Sequence, residues 1–231
     1  MNMPTTRPGL RFRPLVWALL LGCILTYPFS PAVSRPPGDK RDYILVINTY
    51  AESTPWSRGI IADITAHVEQ IENLELYTEH MTLLLVDSPE DIRTFEANLL
   101  REYGKKPPQA LVLIGTPAAL LRNFINSIWQ DIPTIVCAEQ DFIGPDKYYL
   151  KRQPIPASEQ VPLRALADQD NLTLLYSPAY LDQSIDLMKR ILPGMDRLVF
   201  IDDARYVNRQ TEHDLAELLG SKYPGMKYTV Y

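Results

Sequence analysis

Apolar and polar positions alternate along this chain in a way that predicts strands followed by helices. The first apolar run covers residues 43–47 and ends at Asn48, and after a polar turn apolar residues recur at helical spacing from Ile60 to Ile71. A solid apolar run is typical of a strand covered on both faces, whereas a 3.6-residue period indicates an amphipathic helix. The two together predict a βα unit, and the turn over residues 48–57 lies where ligands bind in open α/β sheets.

Further βα units follow from the same pattern. Strands are predicted over residues 74–81, 110–114 and 132–138, with helices over residues 89–103 and after residue 116. The half-polar composition of residues 74–81 indicates a strand near the edge of the sheet. Four pairs of a hydroxyl residue and a proline are predicted to start helices, because the hydroxyl accepts a backbone N–H and proline fixes φ at the first helical position. These pairs are Thr54-Pro55, Ser88-Pro89, Thr116-Pro117 and Ser177-Pro178.

The pattern breaks over residues 142–171, which are rich in proline and polar residues and which we interpret as a crossing or linker region. Before it, residues 42–141 are predicted to form a first α/β lobe. After it, residues 172–231 are predicted to form a second lobe, with strands over 172–176, 197–201 and 226–231 and helices over 178–192 and 211–219. Domains most often have about 100–150 residues, so this shorter lobe, which ends on a strand, is expected to be incomplete.

The N-terminal segment has the composition of an export signal. Three arginines precede an uninterrupted apolar run over residues 15–25, and no acidic residue is present there. A basic flank followed by such a run is typical of a secretory signal peptide. The small residues at 32–34 fit a cleavage site, but the apolar run continued to Phe29 is also long enough for a membrane anchor. Residues 1–34 are therefore predicted to be a signal peptide or an N-terminal anchor in the inner membrane, with the rest of the chain periplasmic or otherwise extracytoplasmic.

Charge and motif content exclude several classes of function. Without residues 1–34 the chain keeps 20 basic against 28 acidic residues, a net charge of −8, which argues against nucleic acid as a partner. The remaining thiol, Cys137, lies inside an apolar run and is interpreted as a small buried hydrophobe. His67, His80 and His213 are isolated and lack the spacing of a metal site. No glycine motif for a nucleotide and no nucleophile elbow is present, so we predict no cofactor, no metal and no active site in these residues.

Three groups of residues resemble a known family. They are Asn48-Thr49-Tyr50 followed by Pro55-Trp56-Ser57, the later residues 113–117, and the stretch from residues 171–176 to residues 191–203. Over residues 42–231 the chain resembles the extracytoplasmic sensor domains of bacterial membrane histidine kinases, which are similar to type 1 periplasmic binding proteins of the ABC-transporter substrate-binding kind. The resemblance implies two Rossmann-like lobes with a ligand cleft between them, followed by a membrane helix and a cytoplasmic kinase. Neither of those later parts lies within residues 1–231, so no kinase activity is assigned to them.

The implied cleft is expected where the strands end. Aromatic faces bury the apolar part of a small molecule, while amides, hydroxyls and helix N-terminal N–H groups fix its polar ends. The predicted ligand-binding residues are Asn48, Thr49, Tyr50, Trp56, Gly115, Thr116, Glu139, Gln140 and Asp141 in the first lobe and Tyr176, Ser177, Asp202, Asp203 and Tyr206 in the second. Structural roles stay open for some of them. Trp56 could pack on a helix, Thr116 and Ser177 could cap helices, and Asp202-Asp203 could be a solvated strand end.

The sequence leads to one preferred function and two alternatives. The preferred function is the small-ligand-sensing input domain of a membrane sensor histidine kinase in a two-component system, attached to the membrane through its N-terminal segment, with a homodimer left open. The first alternative is the substrate-binding protein of an ABC importer. The second is an exported α/β enzyme, which would need a polar catalytic cluster at the cleft. A membrane helix and kinase motifs after residue 231 would favour the sensor.

Overall fold

The computed structural model of the protein describes residues 41–129, 132–167 and 171–231. The predicted signal peptide or anchor over residues 1–34 lies outside the described residues. Within the described ranges, no helix is both long and apolar enough to cross a membrane.

Strands and helices alternate along the described residues. The strands are β1 (Asp42–Asn48), β2 (Leu74–His80), β3 (Ala110–Ile114), β4 (Thr134–Ala138), β5 (Phe142–Ile143), β6 (Val161–Pro162), β7 (Leu172–Tyr176), β8 (Arg197–Phe200) and β9 (Lys227–Val230). The helices are α1 (Pro55–Val68), α2 (Pro89–Tyr103), α3 (Arg122–Ile128), α4 (Asp146–Lys151), α5 (Leu163–Ala167), α6 (Leu181–Ile191) and α7 (Tyr206–Lys222). Short 3-10 turns lie at Leu83–Leu85, Thr116–Leu121 and Ala157–Glu159. The βα alternation predicted for the first lobe is confirmed.

Five strands form one parallel sheet in the order β2-β1-β3-β4-β7. β1 lies between β2 and β3, and its residues Leu45, Val46 and Ile47 have no exposed surface. β2 lies at one end of the order, as its half-polar composition predicted. Because every pair in this sheet is parallel, the carboxyl ends of all five strands meet at one edge. The predicted α/β class with a parallel sheet is confirmed.

Both faces of this sheet are covered. Leu45 and Ile47 belong to the larger core, which α2 covers through Leu99. Val46 belongs to a second core on the opposite face, which α1 covers through Ile61. Burial on both faces explains why β1 is a solid apolar run rather than an alternating one.

Two of the four predicted hydroxyl–proline starts coincide with the first residue of an α-helix. Pro55 opens α1 and Pro89 opens α2. Ser88 also caps α2, since its hydroxyl accepts from the Asp91 N–H at 3.3 Å and the Asp91 carboxylate accepts from the Ser88 N–H at 2.9 Å. Thr54 makes no side-chain cap bond. Reciprocal capping therefore stabilises the start of α2, while at α1 the proline alone marks the start.

Two later helix starts differ from the prediction. α6 begins at Leu181 rather than at Pro178, because Tyr180 before it has a left-handed backbone with φ 46°. α7 begins at Tyr206, several residues before the predicted start at Thr211. The first turns of α7 carry polar residues, which obscured the apolar period at that end.

The strand over residues 172–176 does not open the second lobe, contrary to the prediction. This strand, β7, pairs in parallel with β4, so that Thr134 lies opposite Leu172 and Ala138 lies opposite Tyr176. The pairing satisfies backbone groups of β4 that would otherwise form an open edge. The spacing of apolar residues predicts a strand but does not show which strand it pairs with. For that reason this strand was assigned to the wrong lobe. The first sheet therefore extends beyond residue 141 to include β7.

The remaining elements form a smaller second lobe, in which α6 and α7 pack on the parallel pair β8 and β9. The buried members of its core are Ile185, Leu215, Leu219 and Tyr223. The first turn of α7 packs on the first lobe instead. Tyr206 belongs to the larger core of that lobe, and Val207 packs on the second core, on the opposite face of the sheet. One helix thus contributes to both lobes.

The predicted linker over residues 142–171 contains short elements of its own, with β5 paired antiparallel to β6. Tyr149 of α4 packs on Tyr206 of α7 with ring centroids 4.5 Å apart. The backbone N–H of Ile155 donates to Oε1 of Gln210 at 2.8 Å, and Gln210 has no exposed surface. The linker is therefore joined to α7 by a ring contact and a buried hydrogen bond.

Candidate ligand-binding site

The turn after β1 is held by the side chain of Asn48. Its Nδ2 lies 3.3 Å from the Ser57 hydroxyl and 3.0 Å from Nδ1 of His80, and its Oδ1 accepts from the Tyr50 N–H at 3.1 Å. These bonds join the end of β1 to the start of α1 and the end of β2. Asn48 is completely buried. Its role is therefore to fix the turn, and it does not line the cavity described below.

Gly115 permits a close approach between the ends of β1 and β3. Its backbone has φ 99°, a conformation that side chains rarely adopt. A Cβ there would lie 2.2 Å from the Thr49 hydroxyl oxygen and 3.0 Å from the Tyr50 ring. The Thr49 hydroxyl donates to the Ile114 carbonyl at 3.0 Å, and the Tyr50 ring meets the Trp56 ring edge-on with centroids 5.8 Å apart. Gly115 therefore shapes the turn that presents Tyr50.

A cavity of about 190 Å³ lies between this turn and the start of α7. Its lining from the first lobe is Thr49, Tyr50, Ala51, Thr54, Thr82, Leu83 and Pro117. Its lining from the linker and from the segment before and within α7 is Arg152, Asp203, Arg205, Tyr206 and Val207. The lining brings together aromatic faces, hydroxyl groups and charged side chains. Such a combination suits a small molecule that has both an apolar and a polar part.

A buried polar cluster lies at the end of β4, between the ends of the sheet and α7. Oε2 of Glu139 accepts from the N–H and the hydroxyl of Thr116, at 2.9 and 3.2 Å. Oε1 of Glu139 and Oε1 of Gln140 are buried without a hydrogen-bond donor among the described residues. Burial raises the pKa of Glu139 to about 7, against the opposing effect of the Thr116 hydrogen bond and the Arg205 charge. The carboxyl group therefore keeps its proton to a higher pH than an exposed glutamate does.

The structure brings only part of the predicted set together. Thr49, Tyr50, Asp203 and Tyr206 line the cavity. Trp56 lies behind Tyr50 and is 37% exposed, while Gly115 supports the turn and Thr116, Glu139 and Gln140 form the buried cluster.

The remaining predicted residues lie away from the cavity. The Asp202 side chain is 2% exposed and pairs with Arg209 at 3.0 Å. Asp141 and Tyr176 line a separate surface depression. Ser177 is exposed, and its backbone N–H donates to the Ala138 carbonyl. These four positions stay predictions that the geometry of the cavity does not support.

Sequence reasoning missed both arginines of the cavity. Arg152 follows α4 in a left-handed conformation with φ 53°, inside the stretch interpreted only as a linker. Arg205 directly precedes α7, whose start was predicted several residues later. A signal for Arg205 existed, because it follows Asp202-Asp203 at the end of a predicted strand. Arg152 carried no such signal.

Comparison with known proteins gives the fold and leaves the activity open. No family model matches the chain. No curated protein matches it. Among solved structures, a conserved domain protein from Vibrio cholerae O1 biovar El Tor str. N16961 has a TM-score of 0.51 at 16% identity, over 83% of this chain and 57% of that chain. A ligand-free, open substrate binding protein with adhesive properties from Clostridium difficile has a TM-score of 0.46 at 14% identity, over 82% of this chain and 57% of that chain.

The chain therefore spans 57% of the length of both solved structures. At 16% identity the first similarity supports the α/β fold alone. The second has too low a TM-score to add to that conclusion. The choice of function rests on the residues of this chain.

Replacing Gly115 by alanine tests the close approach at the site. We expect Gly115→Ala to lower the free energy of unfolding by about 1–3 kcal/mol, because of the left-handed backbone and the contact with Thr49. Gly59→Ala in α1 is the matched control, since a Cβ there meets nothing within 4 Å. The control should stabilise the protein by about 0.5–1 kcal/mol through helix propensity. Denaturant unfolding measures both, and changes of the same sign would contradict the geometry.

The raised pKa of Glu139 predicts a pH-dependent stability. The pKa of Glu139 is 4.5 in the unfolded chain and about 7 in the folded protein. Between these two pH values, the folded protein binds the proton more tightly than the unfolded chain does. The free energy of unfolding should therefore fall as pH rises through this window. Glu139→Gln removes the effect, so the stability of this variant relative to the wild type should increase from pH 4.5 to 7. The exposed Glu72→Gln variant is the control for the loss of one carboxyl group. A pH-independent difference between Glu139→Gln and the wild type would contradict the raised pKa of Glu139.

Proposed function

We propose that this chain is an extracytoplasmic domain that binds a small solute in the cavity between Tyr50 and Tyr206, as the input part of a membrane sensor histidine kinase. The observation that carries the proposal is the position of the cavity. It lies at the carboxyl end of β1, and its opposite wall is the start of α7, which continues into the second lobe. Ligand sites in open α/β sheets occur at this edge.

The position of α7 supplies a route from binding to signalling. Tyr206 and Val207 line the cavity, whereas Leu215 and Leu219 of the same helix belong to the core of the second lobe. A solute that contacts both Tyr50 and Tyr206 would favour the arrangement in which the turn and the helix are close. Such a ligand shifts the equilibrium only by its difference in affinity for the two arrangements.

The sensor assignment is supported by the resemblance of residues 42–231 to kinase sensor domains. The kinase activity itself would lie in a part of the protein outside residues 1–231. The reading frame of the gene tests this assignment. A membrane helix and kinase motifs after residue 231 support a sensor, whereas a stop codon soon after a completed second lobe would favour the binding protein of an importer.

Filling the cavity tests the site directly. A thermal-shift screen of the 231-residue chain against amino acids, sugars, nucleobases and aromatic acids should find a stabilising solute. At about 100 times its dissociation constant, it should add roughly 2.7 kcal/mol to the free energy of unfolding. Ala51→Leu places extra atoms in the lining and should abolish this shift, while Ala62→Leu on the exposed side of α1 should keep it.

Two outcomes would contradict the proposal. A shift that persists in folded Ala51→Leu would place the ligand elsewhere on the protein. The absence of any stabilising solute for the folded wild type would indicate a domain that senses a protein partner instead.

A further inference from the structure

Two arginines line the cavity, and each pairs with a carboxylate. Arg205 pairs with Asp203, which also lines the cavity, and Arg152 pairs with Asp87. An arginine in such a site recognises an anion only through the amino groups that its own ion pair leaves over.

Within the described residues, the guanidinium of Arg205 is hydrogen-bonded at Nε but not at its two terminal amino groups. Its Nε donates to both carboxylate oxygens of Asp203, at 3.0 and 2.8 Å, and its backbone N–H donates to Oδ1 at 2.9 Å. Asn208 donates to the same carboxylate at 2.8 Å. The two terminal amino groups of Arg205 have no hydrogen-bond acceptor within the part of the chain that the structure describes. The guanidinium is thus preorganised to bind a carboxylate with two parallel hydrogen bonds.

The charge of Asp203 is already compensated. Burial alone would raise its pKa, but the hydrogen bonds and charge of Arg205 and the Asn208 hydrogen bond outweigh that effect and lower it. The carboxylate therefore stays ionised and holds Arg205 in place.

Arg152 approaches the cavity from the linker. Its Nη2 pairs with Asp87 at 2.6 Å, and the Asp87 side chain is 71% exposed. Arg152 therefore enters the cavity wall as part of an ion pair. Arg152 and Arg205 come from different elements of the chain and line the same cavity.

The apolar part of the lining indicates the polarity and size of the rest of the ligand. Tyr50, Leu83, Pro117 and Val207 supply apolar surface beside the arginines. The cavity volume of about 190 Å³ suits a compact molecule.

We infer that the cavity selects a small carboxylate with an apolar body, whose carboxylate binds the two terminal amino groups of Arg205 and whose body packs on Tyr50. This inference rests on the proposed function, because it names the chemical class of the solute bound at the same site. The backbone N–H groups of Tyr206 and Val207, in the first turn of α7, have no acceptor within the described residues and add two further donors beside the arginines.

A matched pair of probes tests the inference on the 231-residue chain. Phenylacetate and phenylacetamide have the same aromatic body and differ only at the polar end, which is a charged carboxylate in one and a neutral amide in the other. Titration followed by ¹H–¹⁵N NMR should show phenylacetate shifting the amide signals of Tyr206 and Val207, with phenylacetamide binding at least tenfold more weakly. Arg205→Gln should weaken phenylacetate binding by about tenfold or more and should weaken phenylacetamide binding much less, because the amide carries no charge. Arg190→Gln, at an exposed position of α6, should change neither affinity.

The outcomes distinguish a failure of the inferred carboxylate selectivity from a failure of the proposed binding function. Equal affinity for the two probes, or phenylacetate binding unaffected by Arg205→Gln, would overturn selectivity for carboxylates and leave the binding function standing. Failure of phenylacetate to bind, together with an Ala51→Leu-sensitive hit for a neutral solute, would do the same. Failure of both probes and of the whole solute panel would overturn the inference and the proposed function together.

Discussion

The site depends on the burial of β1 between two parallel neighbours. A parallel strand covered on both faces cannot shift its register without moving its apolar side chains out of two cores, Leu45 and Ile47 on one side and Val46 on the other. The end of the strand is therefore fixed in space, and the turn that begins at Asn48 starts from a rigid point. Asn48 also fixes the turn, because its side-chain amide is hydrogen-bonded to residues of α1 and β2.

Four residues of that fixed turn face the cavity, namely Thr49, Tyr50, Ala51 and Thr54. Gly115 lets the Thr49–Tyr50 backbone lie against the end of β3. On the other side, α7 is anchored by Tyr206 in the larger core and by the buried contact between Gln210 and the linker. The cavity is thus the space left between a rigid turn and the first turn of a long helix. This arrangement explains how a small solute could affect the second lobe without any contact to its core.

Local pattern predicted the elements well and their partners poorly. The solid apolar run at β1 and the capping residues before α2 are properties of neighbouring residues, and both predictions agree with the structure. The pairing of β7 with β4 joins residues far apart in the chain, and no period reveals it. Arg152 reaches the cavity only because the linker folds back onto α7. The aromatic and hydroxyl residues of the β1 turn were predictable from their place after a buried strand, whereas the charges facing them depend on tertiary structure.

The central claim is that a solute binds between Tyr50 and the start of α7. A crystal structure of the protein with the stabilising solute tests it most directly. The account predicts electron density for the solute in the cavity lined by Tyr50, Arg205 and Tyr206, with its polar end toward Arg205. Density for the solute at any other place, with this cavity filled only by water, would contradict the account.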